Sequence, residues 1–330
     1  MTDFSVLDLV PVREGGSVAE ALGNATRLAA HAEAIGCKRF WVAEHHTMEG
    51  IAGGATSVVL AHIGNATSTI RIGSGGIMLP NHTPFQIAEQ FGTLDALFPG
   101  RIDLGLGRAP GAGPQLQRAL RKDLHKASEY FPQDVVELRA LLTSDMDLPI
   151  RATPGFGSNV EFWMLGSSLF GAQLAAKLGM PYAFAAHFAP DHLDSALAVY
   201  RRDFQPSETL EKPHVMVAMN VFAAEAEEEA QTLASSQQQS FVALRSGTPG
   251  KLKPPVEDYK ESLPAQYRAM LTHLEQAAAV GTPEQVREKI DAFVQRTSAD
   301  EIILCGATYD PDARLRSLEL TLDACQKVPA

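Results

Sequence analysis

Short apolar runs alternate with amphipathic segments along the chain, and this alternation constrains the fold more than any other feature. The apolar runs are rich in β-forming residues and fall at 4–9, 39–44, 70–79, 101–107, 161–166, 182–188, 214–224 and 301–306. Segments with helical spacing lie between them, which predicts parallel strands joined by right-handed crossovers. Eight strand–helix units match an α/β fold, the (β/α)8 TIM barrel, with insertions in the βα loops. A doubly wound open sheet is the alternative.

Helix-start signals support this division of the chain, and one stretch departs from it. Ser17 and Glu20 have the spacing of a capping box, and Thr282 stands where a late helix should begin. We expect residues 1–330 to form a single barrel domain. The stretch 245–264 combines four prolines with mixed charge, which predicts a long loop. This loop is a candidate mobile loop, with a lid over the site as the alternative.

Composition and charge exclude several classes of partner. A net charge of −11 argues against nucleic-acid binding, which needs clustered Lys and Arg. The three cysteines show no CxxC spacing, so we expect no disulfide framework and a reducing, cytoplasmic location. No apolar run approaches the roughly 20 residues that span a bilayer. The expected partner is a small molecule, with no nucleic acid and no membrane.

Titratable residues cluster where the second strand should end, in the stretch WVAEHH. A barrel places its chemistry at the carboxyl ends of its strands, so Glu44, His45 and His46 are candidate site residues. Asp8 and His187 follow other strands and are also candidates. Adjacent His45 and His46 point to opposite sides of an extended chain, so at most one is expected to reach a site. The alternative is that one packs against a neighbouring strand and the other is solvated. Because the chain offers no HxH, HxxxH or CxxC spacing, we expect no metal site.

Two other strand ends together suggest a phosphate site. Arg108 follows an apolar strand among glycines, where its fork of donors suits an anion. Gly166, Ser167 and Ser168 lead from another strand directly into an Ala-rich helix, whose first N–H groups are free to bind an anion. The alternatives are a surface arginine and an ordinary serine N-cap.

Features of a ligand pocket can also be read from the sequence. Gly75 and Gly76 interrupt a strand-like run, which indicates either a bulge or the close approach of a ligand such as a flat ring. Four large apolar residues are candidate pocket walls, although each alone is more typical of core packing: Phe4, Met78, Phe184 and Phe188.

Three stretches in order resemble the luciferase-like monooxygenases, a flavin-dependent family that includes the bacterial luciferase subunits. They are WVAEHH, GSGGIMLPNHTPFQIAEQFGTLDALFPGRIDLGLGR and WMLGSSLFGAQLAAKLGMPYAF. The resemblance implies a (β/α)8 barrel with reduced flavin in its mouth and His45 as the active-site histidine, with Glu44 orienting His45 or capping a loop. It implies a cis peptide between Gly75 and Gly76 under the flavin ring. It assigns the remaining flavin contacts to Arg108 and Ser168 at the phosphate and to Leu165, Gly166 and Ser167 along the same wall.

The activity that this resemblance implies is that of a two-component monooxygenase. FMNH2 would come from a separate NAD(P)H:flavin reductase, and O2 would oxygenate a small organic substrate in a homodimeric enzyme. Light emission is not expected, because Gly107 replaces the reactive cysteine of luciferase and Ser128 falls near its second phosphate-binding arginine. The alternatives are F420-dependent hydride transfer, a non-catalytic flavin-binding protein and a flavin-free barrel enzyme.

Overall fold

The computed structural model describes residues 2–109, 114–143 and 149–326. Its strands are β1 (Asp3–Asp8), β2 (Arg39–Val42), β3 (Arg71–Met78), β4 (Ile102–Gly107), β5 (Glu161–Gly166), β6 (Tyr182–Phe184), β7 (Val215–Ala223), β8 (Ala278–Gly281) and β9 (Glu301–Cys305). Its helices are α1 (Val18–Ala34), α2 (Thr56–Ala66), α3 (Pro84–Leu97), α4 (Pro114–Leu120), α5 (Leu124–Glu129), α6 (Phe131–Leu142), α7 (Leu169–Leu178), α8 (Leu193–Asp203), α9 (Glu227–Arg245), α10 (Tyr259–Ser262), α11 (Ala265–Leu274), α12 (Pro283–Thr297) and α13 (Pro311–Gln326).

Eight of these strands close into a parallel barrel. Strands β1 to β6 pair in sequence order, β6 pairs with β7, β7 with β9, and β9 with β1. The predicted (β/α)8 barrel is confirmed, and the open-sheet alternative is wrong. The sequence did not predict β8, which pairs with the second half of β7. Its sequence AAVG is short and has only one β-branched residue, so it carries little strand signal.

The predicted helix starts are confirmed in detail. The Ser17 hydroxyl accepts the backbone N–H of Glu20 at 3.2 Å, and the Glu20 carboxylate accepts the backbone N–H of Ser17 at 2.7 Å. Thr282, the N-cap of α12, has the same reciprocal arrangement with Gln285 as its partner. Within the described ranges, none of the helices is long and apolar enough to cross a membrane.

Side chains fill the interior of the barrel, and a second apolar layer packs the strands against the helices. The interior cluster contains Leu7, Trp41, Trp163, Met216, Ile303 and Cys305. The two tryptophans meet edge to face, with ring centroids 5.3 Å apart. Because both faces of each strand are covered, the strand sequences are continuously apolar rather than alternating.

Ion pairs close the amino end of the barrel. Arg39, the first residue of β2, contacts Asp103 at 2.8 Å, Glu161 at 3.0 Å and Glu301 at 3.2 Å. Arg71 forms a second ion pair with Asp103 at 2.5 Å. Since charged side chains occupy this end of the interior, a ligand site has to lie at the carboxyl end, which we call the mouth.

Candidate active site

The carboxylate of Glu44 is the centre of a hydrogen-bond network just beyond the end of β2. Its Oε1 accepts hydrogen bonds from Nε2 of His46 at 2.5 Å and from Nε2 of His82 at 2.8 Å. Its Oε2 accepts the backbone N–H of Met78 at 2.9 Å. Burial raises the pKa of Glu44, but these donors outweigh that effect and lower the pKa to about 2. Glu44 is therefore a buried, charged carboxylate at neutral pH.

The two adjacent histidines have different surroundings. The hydrogen bond to Glu44 raises the pKa of His46, which makes His46 part of the polar network rather than a packed or solvated bystander. Burial lowers the pKa of His45, so its imidazole is neutral at neutral pH. In the described structure the hydrogen bonds of Glu44 come from His46, His82 and the backbone N–H of Met78, and none comes from His45. That Glu44 orients His45 or caps a loop stays a prediction.

Glu44, His46 and His82 also have the residue types of a metal site. Their ligand atoms all lie within 4.8 Å of one another. The expectation of no metal rested on spacing along the chain and did not consider His82, which lies in the turn after β3. The contacts of 2.5 Å and 2.8 Å are hydrogen-bond distances and already satisfy the carboxylate. A proton network therefore accounts for this cluster, and the absence of a metal stays a prediction.

The paired glycines of β3 form a wall of the mouth. The Gly75–Gly76 peptide bond is cis, as the resemblance implies, and the register between β3 and β4 shifts at this point. A Cβ atom on Gly76 would lie 2.7 Å from the carbonyl oxygen of Gly105 and 3.1 Å from Cδ2 of Leu165. The structure thus brings Gly76 and Leu165, which are far apart in the sequence, into contact range across β4.

Arg108 and Ser168 lie beside the same helix end. The Arg108 guanidinium stacks on the ring of Phe170, 3.9 Å from its centroid, in the first turn of α7. Ser168 is the N-cap residue of that helix, but its side chain makes no capping hydrogen bond. Ser168 thus occupies the N-cap position of α7 without bonding its hydroxyl to the helix, and its role at a phosphate stays a prediction. Gly166 and Ser167 connect this corner to β5.

A chamber of about 1240 Å³ lies across the mouth, at the ends of β1, β7 and β9. Its apolar lining includes Leu7, Ile51, Phe188, Phe222, Phe241 and Leu252. Leu7 connects the chamber to the glycine wall, because its Cδ1 is 2.6 Å from where a Cβ atom of Gly75 would lie. Of the four candidate pocket residues, Phe188 lines the chamber, whereas Phe4 and Phe184 pack in the core and Met78 is buried near the Glu44 network.

Polar groups line the deep end of the chamber. Asp8 Oδ1 accepts a hydrogen bond from Nη1 of Arg314 at 2.7 Å. His187 lies near His45, and its burial, with a smaller contribution from electrostatic interaction with His45, lowers the pKa of His187 to about 4. Its imidazole is therefore neutral at neutral pH, and among the described residues its Nδ1 has no hydrogen-bond partner.

The predicted loop 245–264 forms one side of the chamber. Its Leu252 N–H donates to the carbonyl of Val12 at 2.9 Å, and the Leu252 carbonyl accepts the N–H of Glu14 at 2.8 Å. The N–H of Val256 donates to the hydroxyl of Ser235 at 2.7 Å. These bonds attach the segment to the β1–α1 loop and to α9. The segment lines the chamber and, contrary to an uninterrupted loop, contains the short helix α10 (Tyr259–Ser262). Its mobility and a lid role stay predictions.

Two residues of the mouth were missed by the sequence reasoning. His82 lies just past β3 in the stretch PNHTP, and a polar residue after a predicted strand was the available signal. Arg314 lies on α13, which follows the last strand, and nothing in its local sequence distinguishes it from a surface arginine.

Comparison with known proteins extends over nearly the whole chain. The profile of the luciferase-like monooxygenase family matches residues 2–301. A luciferase-like monooxygenase of Escherichia coli (strain K12) is 46% identical over 99% of both chains. The N-acetyl-S-alkylcysteine monooxygenase of Bacillus subtilis (strain 168) is 33% identical over 98% of both chains.

Solved structures show the same architecture. The crystal structure of apo-MsnO8 is 32% identical, with a TM-score of 0.88 and coverage of 100% of both chains. The fold alone is shared with a 3,6-diketocamphane monooxygenase component in complex with FMN, with a TM-score of 0.71 at 18% identity. It is also shared with an F420-dependent secondary alcohol dehydrogenase bound to an F420–acetone adduct, with a TM-score of 0.69 at 17% identity. One of these two neighbours was thus solved with FMN and the other with an F420 adduct.

Proposed function

This chain belongs to the luciferase-like monooxygenase family, and we propose that it is a monooxygenase that uses FMNH2 and O2 to oxygenate a small organic substrate. The observation that carries the proposal is the division of the mouth into two sides. On one side lie Gly75 and Gly76, which form the glycine wall, and Arg108 with Ser168, which we call the phosphate corner. The chamber lies on the other side, and Leu7 adjoins both the glycine wall and the chamber. A flat cofactor and a substrate could meet across such a mouth.

The residues present fit a flavin mononucleotide. Arg108 and the free hydroxyl of Ser168, beside the first N–H groups of α7, would hold the phosphate. Gly75 and Gly76 would let a ring approach the backbone of β3. Leu165 would provide an apolar contact, while Gly166 and Ser167 would line the same wall. Reduced flavin, when bound, supplies the electrons that activate O2.

The side chains around this cofactor position suit proton transfer in a dry site. The neutral imidazole of His45 would accept and return a proton at its ring nitrogen, as a general base and acid near neutral pH. Glu44 would hold His46 and His82 in place and keep negative charge near the mouth. The apolar lining of the chamber would exclude bulk water from the reacting groups.

We propose FMN rather than F420 as the cofactor because of the negative charge of this chain. The polyglutamate tail of F420 needs an extended basic groove, whereas this chain has a net charge of −11 and its phosphate corner has one arginine. A separate NAD(P)H:flavin reductase that supplies FMNH2 is part of the proposal. The homodimer and the cytoplasmic location also stay predictions.

An anaerobic titration with FMNH2 and, in parallel, reduced F420, followed by admission of air, tests this function. We expect a saturable FMNH2 complex whose reoxidation by O2 is altered relative to free FMNH2. Binding of F420 alone would support the hydride-transfer alternative. Binding without any effect on the reaction with O2, and without turnover when a reductase and NAD(P)H are supplied, would support a non-catalytic flavin protein.

Arg108 provides the variant for the same titration. Arg108→Ala should weaken FMNH2 binding by about tenfold or more, because it removes a charged donor to the phosphate, and should leave reduced riboflavin binding nearly unchanged. Arg202→Ala is the matched control, since Arg202 is exposed on α8 and pairs with Asp203. Equal losses for FMNH2 and riboflavin would remove Arg108 from the phosphate site.

A further inference from the structure

We propose that the chamber binds a largely apolar organic acid whose carboxylate contacts Arg314, and that Asp8 positions this arginine. The inference rests on the proposed function only in calling this ligand the substrate. It names two residues, one on β1 and one on α13, that the flavin assignment does not use.

The ion pair between Asp8 and Arg314 leaves hydrogen-bonding atoms of both side chains without a protein partner among the described residues. The Asp8 side chain is 1% exposed and that of Arg314 is 15% exposed, and a single hydrogen bond of 2.7 Å joins them. Among the described residues, Asp8 Oδ2 has no partner, so the contact is not the bidentate pair that arginine and a carboxylate commonly form. Arg314 therefore keeps N–H donors for a second acceptor, and it lines the chamber.

Burying such a pair is costly, which argues for a role beyond packing. Desolvation of two charges often exceeds their attraction, and apolar residues would fill the same space at no loss of stability. The lining of the chamber also includes the apolar side chains of Leu7, Phe222 and Cys305. A guanidinium at the deep end of an apolar chamber is the arrangement expected for a ligand with an apolar body and one anionic group.

Other cations of the chamber are engaged elsewhere. Lys260 forms an ion pair with Glu275 at 2.5 Å, and Lys289 donates to the carbonyl of Val280 at 2.6 Å. Among the described cations of the lining, Arg314 has the most buried side chain, 15% exposed against 25% for Lys260, and Lys289 is exposed to solvent. A carboxylate is the acceptor whose planar shape matches a guanidinium, and hydrogen bonds between charged groups are about twice as strong as neutral ones.

Acidic residues at the outer edge of the chamber repel an anion, but this repulsion is weaker than the attraction of the buried Arg314 guanidinium. Glu228, Glu229 and Glu257 are exposed to solvent. At physiological ionic strength, exposed charges are screened beyond roughly 8 Å, whereas the buried guanidinium is screened much less. The deep cation therefore determines the preference at physiological salt, and the outer acids slow the entry of anions at low salt.

Three eight-carbon probes test the charge preference: octanoate, 1-octanol and octylamine. Their affinities would be measured by calorimetry on the full chain without flavin, reductase or O2, so the result does not depend on monooxygenase activity. In about 150 mM salt we expect octanoate to bind at least about tenfold more tightly than either other probe. Equal or tighter binding of octylamine or 1-octanol, or no detectable binding of octanoate, would overturn the proposal.

Substitutions of Asp8 and Arg314 test whether the preference for octanoate arises from this ion pair. Because Arg314→Met alone leaves a buried carboxylate unpaired, the main variant is the charge-balanced double substitution Asp8→Asn with Arg314→Met. It should remove the preference for octanoate while retaining 1-octanol binding, which also shows that the variant is folded. Arg316→Met is the matched control, because Arg316 is an exposed arginine two residues further along α13 that pairs with Glu225. This variant should keep the preference for octanoate. A preference that survives in the double variant would place the anion site elsewhere.

Discussion

Glu44 is the residue that fixes the polar side of the mouth. Three N–H donors converge on its two oxygens, and two of them come from imidazole rings. Its negative charge persists at neutral pH and raises the pKa of His46. His45 beside it behaves in the opposite way, because burial lowers its pKa. The hydrogen bond to Glu44 and the burial of His45 thus shift the pKa values of two adjacent histidines in opposite directions, so His46 holds a proton more tightly and His45 releases it more readily.

The variant Glu44→Gln should lower the pKa of His46, since the amide removes the negative charge that stabilises the imidazolium. Because the folded-state pKa of His46 is above the reference value of 6.5, its protonation stabilises the wild type below that pH, and this contribution is lost as the pH rises through the raised pKa. NMR titration of the imidazole C–H resonances measures the change. His125, which is 89% exposed on α5, is the internal control. An unchanged His46 titration would contradict the assigned hydrogen bond.

The sequence could indicate which residues lie at the mouth but not which of them touch. The run EHH after an apolar stretch was sufficient to predict a titratable cluster. His82 is 38 residues from Glu44, and their contact depends on the register of β2 against β3 and on the turn that follows β3. Local patterns carry no information on such a distance, so the partner of Glu44 was unpredictable.

At the scale of elements, β3 and β4 pack too closely for side chains at certain positions. A Cβ atom on Gly76 would meet the backbone of Gly105 at 2.7 Å, and backbone cannot move aside without shifting β4. A Cβ atom on Gly75 would meet Cδ1 of Leu7 at 2.6 Å, which is the end of a flexible side chain. Although the two glycines are adjacent, an added Cβ atom would contact rigid backbone at Gly76 and a movable side chain at Gly75.

We therefore expect Gly76→Ala to destabilise the protein by about 1–3 kcal/mol more than Gly75→Ala. Urea unfolding of flavin-free protein measures the difference without involving cofactor binding. Gly23→Ala is the matched control, because Gly23 is exposed in α1 with no atom within 4 Å of the added Cβ. It should stabilise the protein by about 0.5–1 kcal/mol through helix propensity. Equal costs at Gly75 and Gly76 would argue against a rigid contact between β3 and β4.

Most elements were predictable because a parallel barrel covers both faces of its strands and so produces continuous apolar runs. Caps were predictable for a local reason, since Ser17 and Glu20 bond to each other within one turn. β8 was not predictable, because it is four residues long and owes its strand geometry to pairing with β7. Tertiary context, rather than propensity, defines such an element.

On the scale of the whole molecule, the ion pairs that stabilise the fold and the proposed ligand sites lie at opposite ends of the barrel axis. The amino end holds Arg39 among Asp103, Glu161 and Glu301, while the mouth holds the proposed flavin wall and the chamber. Six-residue strands such as β1 and β4 place these ends roughly 20 Å apart. Over that distance screened charges interact weakly, so a change at the amino end should affect folding without changing the ligand sites.

The variant Arg39→Met tests this separation. It leaves the fully buried carboxylates of Asp103 and Glu301 without their central cation, which should cost about 3–5 kcal/mol of unfolding free energy near neutral pH. Burial already raises the pKa of Asp103, so the deficit should shrink as the pH falls and this carboxylate takes up a proton. Urea unfolding at several pH values measures the deficit, and FMNH2 titration of the folded variant should give a Kd close to that of the wild type. Arg202→Met, at an exposed ion pair, should leave both measurements unchanged. A large loss of FMNH2 affinity in folded Arg39→Met would contradict the separation and would mean that the ion pairs at the amino end shape the mouth.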